Sequence, residues 1–390
     1  MGRFGSEITT EIDQDKKIAL DSRLEPIPIE KVDGWKGIPV LECGEDLVSV
    51  GPFSEFSDCD TSAVYFGERG QGTDVNFLGE PVDRDVSLIT HFVRKGILQK
   101  MKIAQSMLPE GYYFKFLDNF RPLEVQQALF DAQKSKFHAD HPEWDDEKLD
   151  SETQTYVSLP SPNIERGTTH PSPHSTGGVV DLTIIRLLDE GQKAMKDLEA
   201  RRASGQLRYP ISEDEQQEDN EVASWINEEA KRKGWDEGKK QIVLDNWLAE
   251  YRYAKNKGDI FRTKTQELNM GTDFDHFGPE AGMRYFEKLE EQGELSPNQQ
   301  EILRNRRYLY KIMKSAGFSN YPEEWWHWSS GDNMDAANTG KDHAIYGTAQ
   351  MSDDNKSTEW SRKGVYQDAS ERVGKKELFS NSIEDDPSVE

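Results

Sequence analysis

Cysteine is nearly absent from this chain of 390 residues: Cys43 and Cys59, sixteen apart, are the only two. That spacing matches no metal knuckle, and two cysteines make no disulfide framework, so a reducing compartment, the cytoplasm, is expected. Long apolar runs are missing as well. No stretch approaches the roughly 20 apolar residues of a membrane span. The opening MGRFGSEITTEIDQDKK lacks the apolar core of a secretion signal. It does fit a myristoylation pattern, with Gly2 followed by Ser6. Clustered positive charge is lacking too. The formal net charge is −25, and neutralising phosphates takes clustered Lys and Arg, so no nucleic-acid partner is expected. Net charge speaks to solubility and steering, and leaves the chemistry open.

The length allows one large domain or two smaller ones and a real core. With 34% hydrophobic and 31% charged residues, a good share of the chain must be surface, insertion or tail. No internal repeat is visible. Residues 1–59 read as an extended, polar lead-in. Apolar spacing of three and four predicts a helix over 86–107, ending before Pro109-Glu110-Gly111. A strand follows at 112–117, then the turn Asp118-Asn119-Phe120-Arg121-Pro122 and a helix from Leu123. The charged stretch 132–165 reads as a surface excursion. The run from Gly178 to Ile185, β-branched after a Gly-Gly break, is the clearest strand. Residues 189–264 shift to Glu, Lys, Arg and Gln with scattered Trp, Leu and Ile, a mostly helical insertion. A helix is expected at 296–316, with Ser296 as N-cap, Pro297 in the first turn and Gly317 as stop. Glu323 to Trp328 reads as an aromatic strand, and 351–390 as a polar, acidic, poorly ordered tail.

Three groups of residues carry candidate chemistry. In SPHSTGGVVD, His174 and Asp181 lie seven residues apart, roughly 23 Å if extended. They can share a metal only if the chain doubles back, which Gly177-Gly178 permits. An aspartate among Val, Leu and Ile is costly to bury unless paired, hydrogen-bonded or metal-bound, and an ion pair with Lys or Arg would serve as well. In Glu324-Trp325-Trp326-His327, His327 could complete two nitrogens and one oxygen around a metal, with a fourth position open. Glu324 would then be an unligated base beside it; the bland alternative is a pair of tryptophans over a core edge. Arg121, between Phe120 and Pro122, could hold an oxyanion or simply staple its turn to an aspartate. His170 precedes His174 by four, but Pro171 and Pro173 rule out a shared helical face, so it reads as a loop residue.

Together SPHSTGGVVDLT, EWWH and the FRP turn resemble the D-alanyl-D-alanine dipeptidase family of zinc peptidases. MGTDFD and NRRYLYKIMKSAGF match in the same order. The resemblance covers residues 60–350, interrupted at 132–165 and by the 189–264 insertion. It implies an α+β fold: a central antiparallel sheet flanked by helices, with a helical insertion. It implies one Zn2+ per chain on His174, Asp181 and His327, with Glu324 as catalytic base and Arg121 as oxyanion-stabilising residue. Ser172 and Asp275 fall where the family contacts substrate, Asp275 suiting a free α-ammonium. The implied partner is a small dipeptide, D-alanyl-D-alanine or a relative. Val179 stands where Ala is frequent and Phe120 where Tyr is frequent. In 63–79, Asn76-Phe77-Leu78-Gly79 is kept, but Tyr65 lies upstream of the expected tyrosine and receives no role. Two other readings use the same residues: a non-haem Fe(II) oxygenase, which needs no base like Glu324, and an inactive dipeptide binder. No G-x-S-x-G elbow supports a serine hydrolase.

Overall fold

The strand that begins after the Gly-Gly break organises the molecule. A computed structural model of the chain describes residues 17–20, 24–67, 82, 86–161, 170–210, 213–356 and 359. The Gly2 pattern, Asn76–Gly79 and most of the expected tail lie outside the described residues. The strands are β1 (Leu47–Val50), β2 (Cys59–Thr61), β3 (His91–Arg94), β4 (Tyr112–Asp118), β5 (Val179–Leu187), β6 (Thr265–Glu267), β7 (Ser319–Asn320) and β8 (His327–Ser329). The helices are α1 (Lys95–Met107), α2 (Leu123–Asp140), α3 (Asp146–Tyr156), α4 (Asp189–Ala203), α5 (Glu213–Lys233), α6 (Glu237–Thr263), α7 (Tyr285–Gln292), α8 (Pro297–Ser315) and α9 (Asn333–Thr339). The fold is thus mixed, with sheets and helices both well represented.

The main sheet runs β2-β4-β5-β8-β7, with β6 on the far half of the β5 edge that β8 also uses. Every pairing in it is antiparallel except β2 with β4, which is parallel. Strand β5 alternates strictly. Val180, Leu182 and Ile184 enter the main core with Ile97, Leu98 and Met101 of α1 and Leu309, Ile312 and Met313 of α8. Asp181, Thr183, Ile185 and Leu187 take the opposite face. There Ile185 and Leu187 are covered by Leu198 of α4 and Tyr253, Ile260 and Phe261 of α6. The charged helices of 189–264 therefore leave β5 at the end remote from Asp181 and roof the far half of the face that carries it.

Helix α8 has the expected ends. Gln299 accepts from the Ser296 N–H at 2.9 Å in a capping box, and Pro297 opens the helix. Gly317 at φ 86° closes it, with the Phe318 N–H returning to the Met313 carbonyl.

Two expectations are corrected. The helix forecast over 86–107 begins only at Lys95, because His91–Arg94 pairs antiparallel with β1. Phe92 and Val93 are both fully buried, in different apolar clusters, so a period of two was hidden inside the three-and-four spacing. The aromatic run 323–328 is strand only from His327; Tyr321 to Trp326 form a turn in which the Glu324 N–H donates to the Tyr321 carbonyl. The charged stretch from 132 is helical, ending α2 and forming α3, with Lys134 pairing to Asp146 and Asp150. The start of the tail is docked: Glu359 accepts from the Ile89 and Thr90 N–H groups at 2.7 and 2.9 Å. No helix among the described residues is long and apolar enough to cross a membrane.

Candidate metal centre

Asp181 is the centre of the site, and the sheet aims its neighbours at it. On β8 its direct cross-strand partner is His327. On β4 its partner is Asp118, placed there by a bulge between Phe116 and Asp118. Without that extra residue Leu117 would face Asp181; the bulge re-aims the strand. His174 comes from a single 3₁₀ turn, His174–Thr176, closed by Gly177 at φ 69°. A Cβ on Gly177 would meet Leu47 at 2.6 Å, and one on Gly178 would meet the Ser330 carbonyl at 2.8 Å. The doubling-back needs both glycines, one for its dihedral and one for close approach.

His174 Nε2 lies 3.4 Å from Asp181 Oδ2, and His327 Nδ1 lies 3.3 Å from Asp181 Oδ1. One donor atom from each residue falls within a 4.8 Å group. Each contact is close to the roughly 3.3–3.4 Å that separates two ligand atoms of a tetrahedral ion with bonds of about 2.0–2.1 Å, and the two run to different oxygens of Asp181. Asp181 Oδ1 is buried without a hydrogen-bond partner. Its carboxyl is held well above the usual range, first by burial and then by Asp118. Both imidazoles are pushed down, chiefly by burial, His174 strongly. Four carboxyls (Asp118, Asp181, Asp275 and Glu324) gather around one guanidinium, Arg121. A buried set short of positive charge, with neutral imidazoles turned to one point, suits a divalent cation. His174, Asp181 and His327 could hold it.

Glu324 stands just outside that set, 3.5 Å from His327 Nδ1. On a regular strand, residues three apart face opposite ways; the turn before β8 is what lets Glu324 and His327 share one side. Its side chain is 37% exposed against 3% for Asp181, so it borders water while the ligand set does not. Burial nonetheless pushes its carboxyl up to about 8, with His327 opposing and Asp181 and Asp275 adding.

Arg121 staples its turn to an aspartate, the second of its two readings. Its guanidinium donates to Asp118 through Nε and a second nitrogen, and to Gln126 at 2.7 Å. It also donates to the Tyr65 hydroxyl at 3.1 Å and stacks over that ring. Tyr65 in turn donates to Asp275 Oδ2 at 2.9 Å. Asp118 Oδ2 lies 3.1 Å from His174 Nδ1, which donates to the Asn119 carbonyl at 2.8 Å. Sequence reasoning names Tyr65 and Asp118 but gives neither a role in the site. Asp118 had one legible signal, a carboxylate closing an apolar strand. Tyr65 had none, since its partner Asp275 is 210 residues away. Asp275 itself is held at φ 55°, an uncommon conformation for a residue with a side chain.

Ser172 is bonded within its own loop. Its hydroxyl donates to the Leu159 carbonyl at 3.2 Å and accepts from the Ser161 N–H at 3.1 Å, tying a loop neck. His170 packs edge-on against Trp35 and takes no part. His276 lies 3.6 Å from Glu280, outside the site.

Residues 260–345 match the family model described as D-ala-D-ala dipeptidase. The resemblance to that family therefore holds. A D-alanyl-D-alanine dipeptidase of Synechocystis sp. is 33% identical over 70 residues, 18% of this chain and 28% of that protein. The chain thus aligns with less than a third of that relative. The family match contains Asp275, Glu324 and His327, while Arg121, His174 and Asp181 precede it and are joined to them by the fold.

Proposed function

We propose that this chain is a peptidase, dependent on one zinc ion, that hydrolyses the amide bond of a small dipeptide, D-alanyl-D-alanine or a close relative. The observation that carries the reading is the buried group of His174, Asp181 and His327, one donor atom from each within 4.8 Å, with Glu324 beside it outside the set. Bound zinc supplies a Lewis acid and lowers the pKa of water toward neutrality.

The rest falls to the chain's own residues. His174 and His327 bind as neutral imidazoles, and Asp181 binds as the carboxylate. Glu324, at the wet edge, takes the proton of the attacking water and delivers it to the leaving amine. Burial holds that carboxyl up to about 8 with no metal beside it; a divalent cation in the neighbouring set would lower it and favour the carboxylate that the first transfer needs. Arg121, fixed by Asp118, Gln126 and Tyr65, steadies the negative charge that develops on the scissile oxygen. Asp275, oriented by Tyr65, receives the substrate's ammonium. The indoles of Trp325 and Trp326, which follow Glu324 in the chain, are buried in the main apolar core.

The test is release of free alanine from D-Ala-D-Ala and from L-Ala-L-Ala, before and after chelation and again after zinc is restored. The expected result is release from the D,D substrate that chelation stops and zinc restores. No release under any condition rejects the peptidase; release untouched by chelator rejects the metal.

A further inference from the structure

His174 and His327 present different ring nitrogens toward Asp181, so two different devices must hold their tautomers. For His174 the device is direct: Nδ1 donates to the Asn119 carbonyl, which leaves Nε2 bare. For His327 no backbone carbonyl among the described residues does this. Its Nε2 lies 3.4 Å from the hydroxyl of Ser329, and that hydroxyl donates to Asp332 Oδ2 at 3.0 Å. Ser329 follows His327 by two on β8 and so shares its face. It is the central residue of a row, paired with Val179 on β5 and Ser319 on β7. Asp332 is returned to it by the turn at Gly331, φ 76°, where a Cβ would meet the Tyr346 ring at 2.6 Å. The other Asp332 oxygen accepts the Asp335 N–H at 2.9 Å as the N-cap of α9. Ser329 and Asp332 are each 1% exposed, so water does not compete for these bonds.

We infer that Ser329, held by Asp332, is a positioning residue for His327: it accepts the Nε2 proton, so that Nδ1 carries the lone pair turned toward Asp181. A serine oxygen that accepts from a ring must send its own proton elsewhere, and Asp332 is the acceptor that receives it. Without the aspartate the hydroxyl could turn and donate to Nε2, which would move the ring proton to Nδ1 and block the side facing Asp181. Outer partners of this kind set ligand orientation and basicity, and their loss costs metal affinity about 10–100-fold. The inference rests on the metal reading proposed above, and its test separates the two.

The first measurement needs no metal. The ring nitrogens of His327 in the chelated full chain, read by NMR, should show the proton on Nε2 in the wild type and a mixture in Ser329→Ala. The second is zinc affinity by competition with a chelator. Ser329→Ala should bind zinc about 10–100-fold more weakly, while Ser329→Thr, which keeps the hydroxyl and suits a strand, should recover most of the loss. Metal-free melting temperatures of both variants show that each is folded. A purely structural serine would lower the melting temperature and leave affinity and tautomer as they were, and that result overturns the proposal. So does a wild-type ring already protonated on Nδ1, or a threonine variant as weak as alanine. Wild-type protein that binds no zinc, with the Nε2 proton in place, would remove the metal reading and leave the tautomer finding standing.

Discussion

Asp181 and His327 are direct partners across β5 and β8, their facing atoms 3.3 Å apart. The same aspartate oxygen has no hydrogen-bond partner. In a metal-free chain this is an uncomfortable arrangement, and it sets the first prediction. Zinc content should be about one per chain, and His174→Ala or His327→Ala should lose it. Because burial and then Asp118 hold the Asp181 carboxyl above its usual range, and a ligand must be the carboxylate, binding should release protons. Apparent affinity should therefore rise with pH. Calorimetry in two buffers of different ionisation enthalpy reads the release. A release of zero, or full zinc in both alanine variants, rejects the ligand set.

Glu324 is separable from the ligands. Glu324→Gln keeps size and outline but cannot accept a proton. Turnover should fall by about 10²–10⁴-fold or more, since one residue serves two transfers, with zinc content unchanged. Wild-type turnover in this variant would remove the mechanism whatever the metal analysis gave.

The same residue predicts a pH dependence in the metal-free protein. Its folded value of about 8 exceeds the ordinary 4.5, so between those values the folded chain binds more protons than the unfolded one. Its contribution to stability is complete below about 4.5 and is lost as pH climbs through 8. Glu324→Gln has no such loss. The melting temperature of chelated Glu324→Gln minus that of chelated wild type should therefore grow from pH 5 to pH 9. Parallel curves would contradict the shift. Asp332, whose shift comes from burial and from groups other than Glu324, titrates in both proteins and cancels in the difference.

How much of this was legible beforehand depends on how local each signal is. The His174–Asp181 segment carries its own turn chemistry, and the structure closes it with the two glycines that the spacing demanded. Helix α8 likewise carries both its caps. The misreadings come where a distant partner decides. His91–Arg94 became a strand because Leu47–Val50 lies beside it, and nothing within 86–107 announces that. The bulge that turns Asp118 to the site is a property of the β4–β5 pairing, not of the YYFKFLD run. Tyr65 reaches the site through Arg121 and Asp275, so no spacing near it could assign it a role.

Arg121 is the residue whose two proposed roles need separating. It forms a pair with Asp118 in which each side chain is 11% exposed, and its charge also acts on Asp181 and Glu324. Removing one partner of a buried pair strands the other, at about 3–5 kcal/mol. Removing an oxyanion donor costs about 10²–10³-fold in turnover. Arg121→Ala should therefore lose stability and turnover together, and neither loss alone identifies the role. Adding Asp118→Asn removes the stranded carboxylate. His174 keeps its Nδ1 partner in the double variant, since the Asn119 carbonyl is the closer acceptor at 2.8 Å against 3.1 Å for Asp118. The double variant should regain most of the melting temperature and keep its zinc, yet remain as slow as Arg121→Ala. Recovery of turnover along with stability would make Arg121 only a staple for its turn, and the charge on the scissile oxygen would have to be met elsewhere.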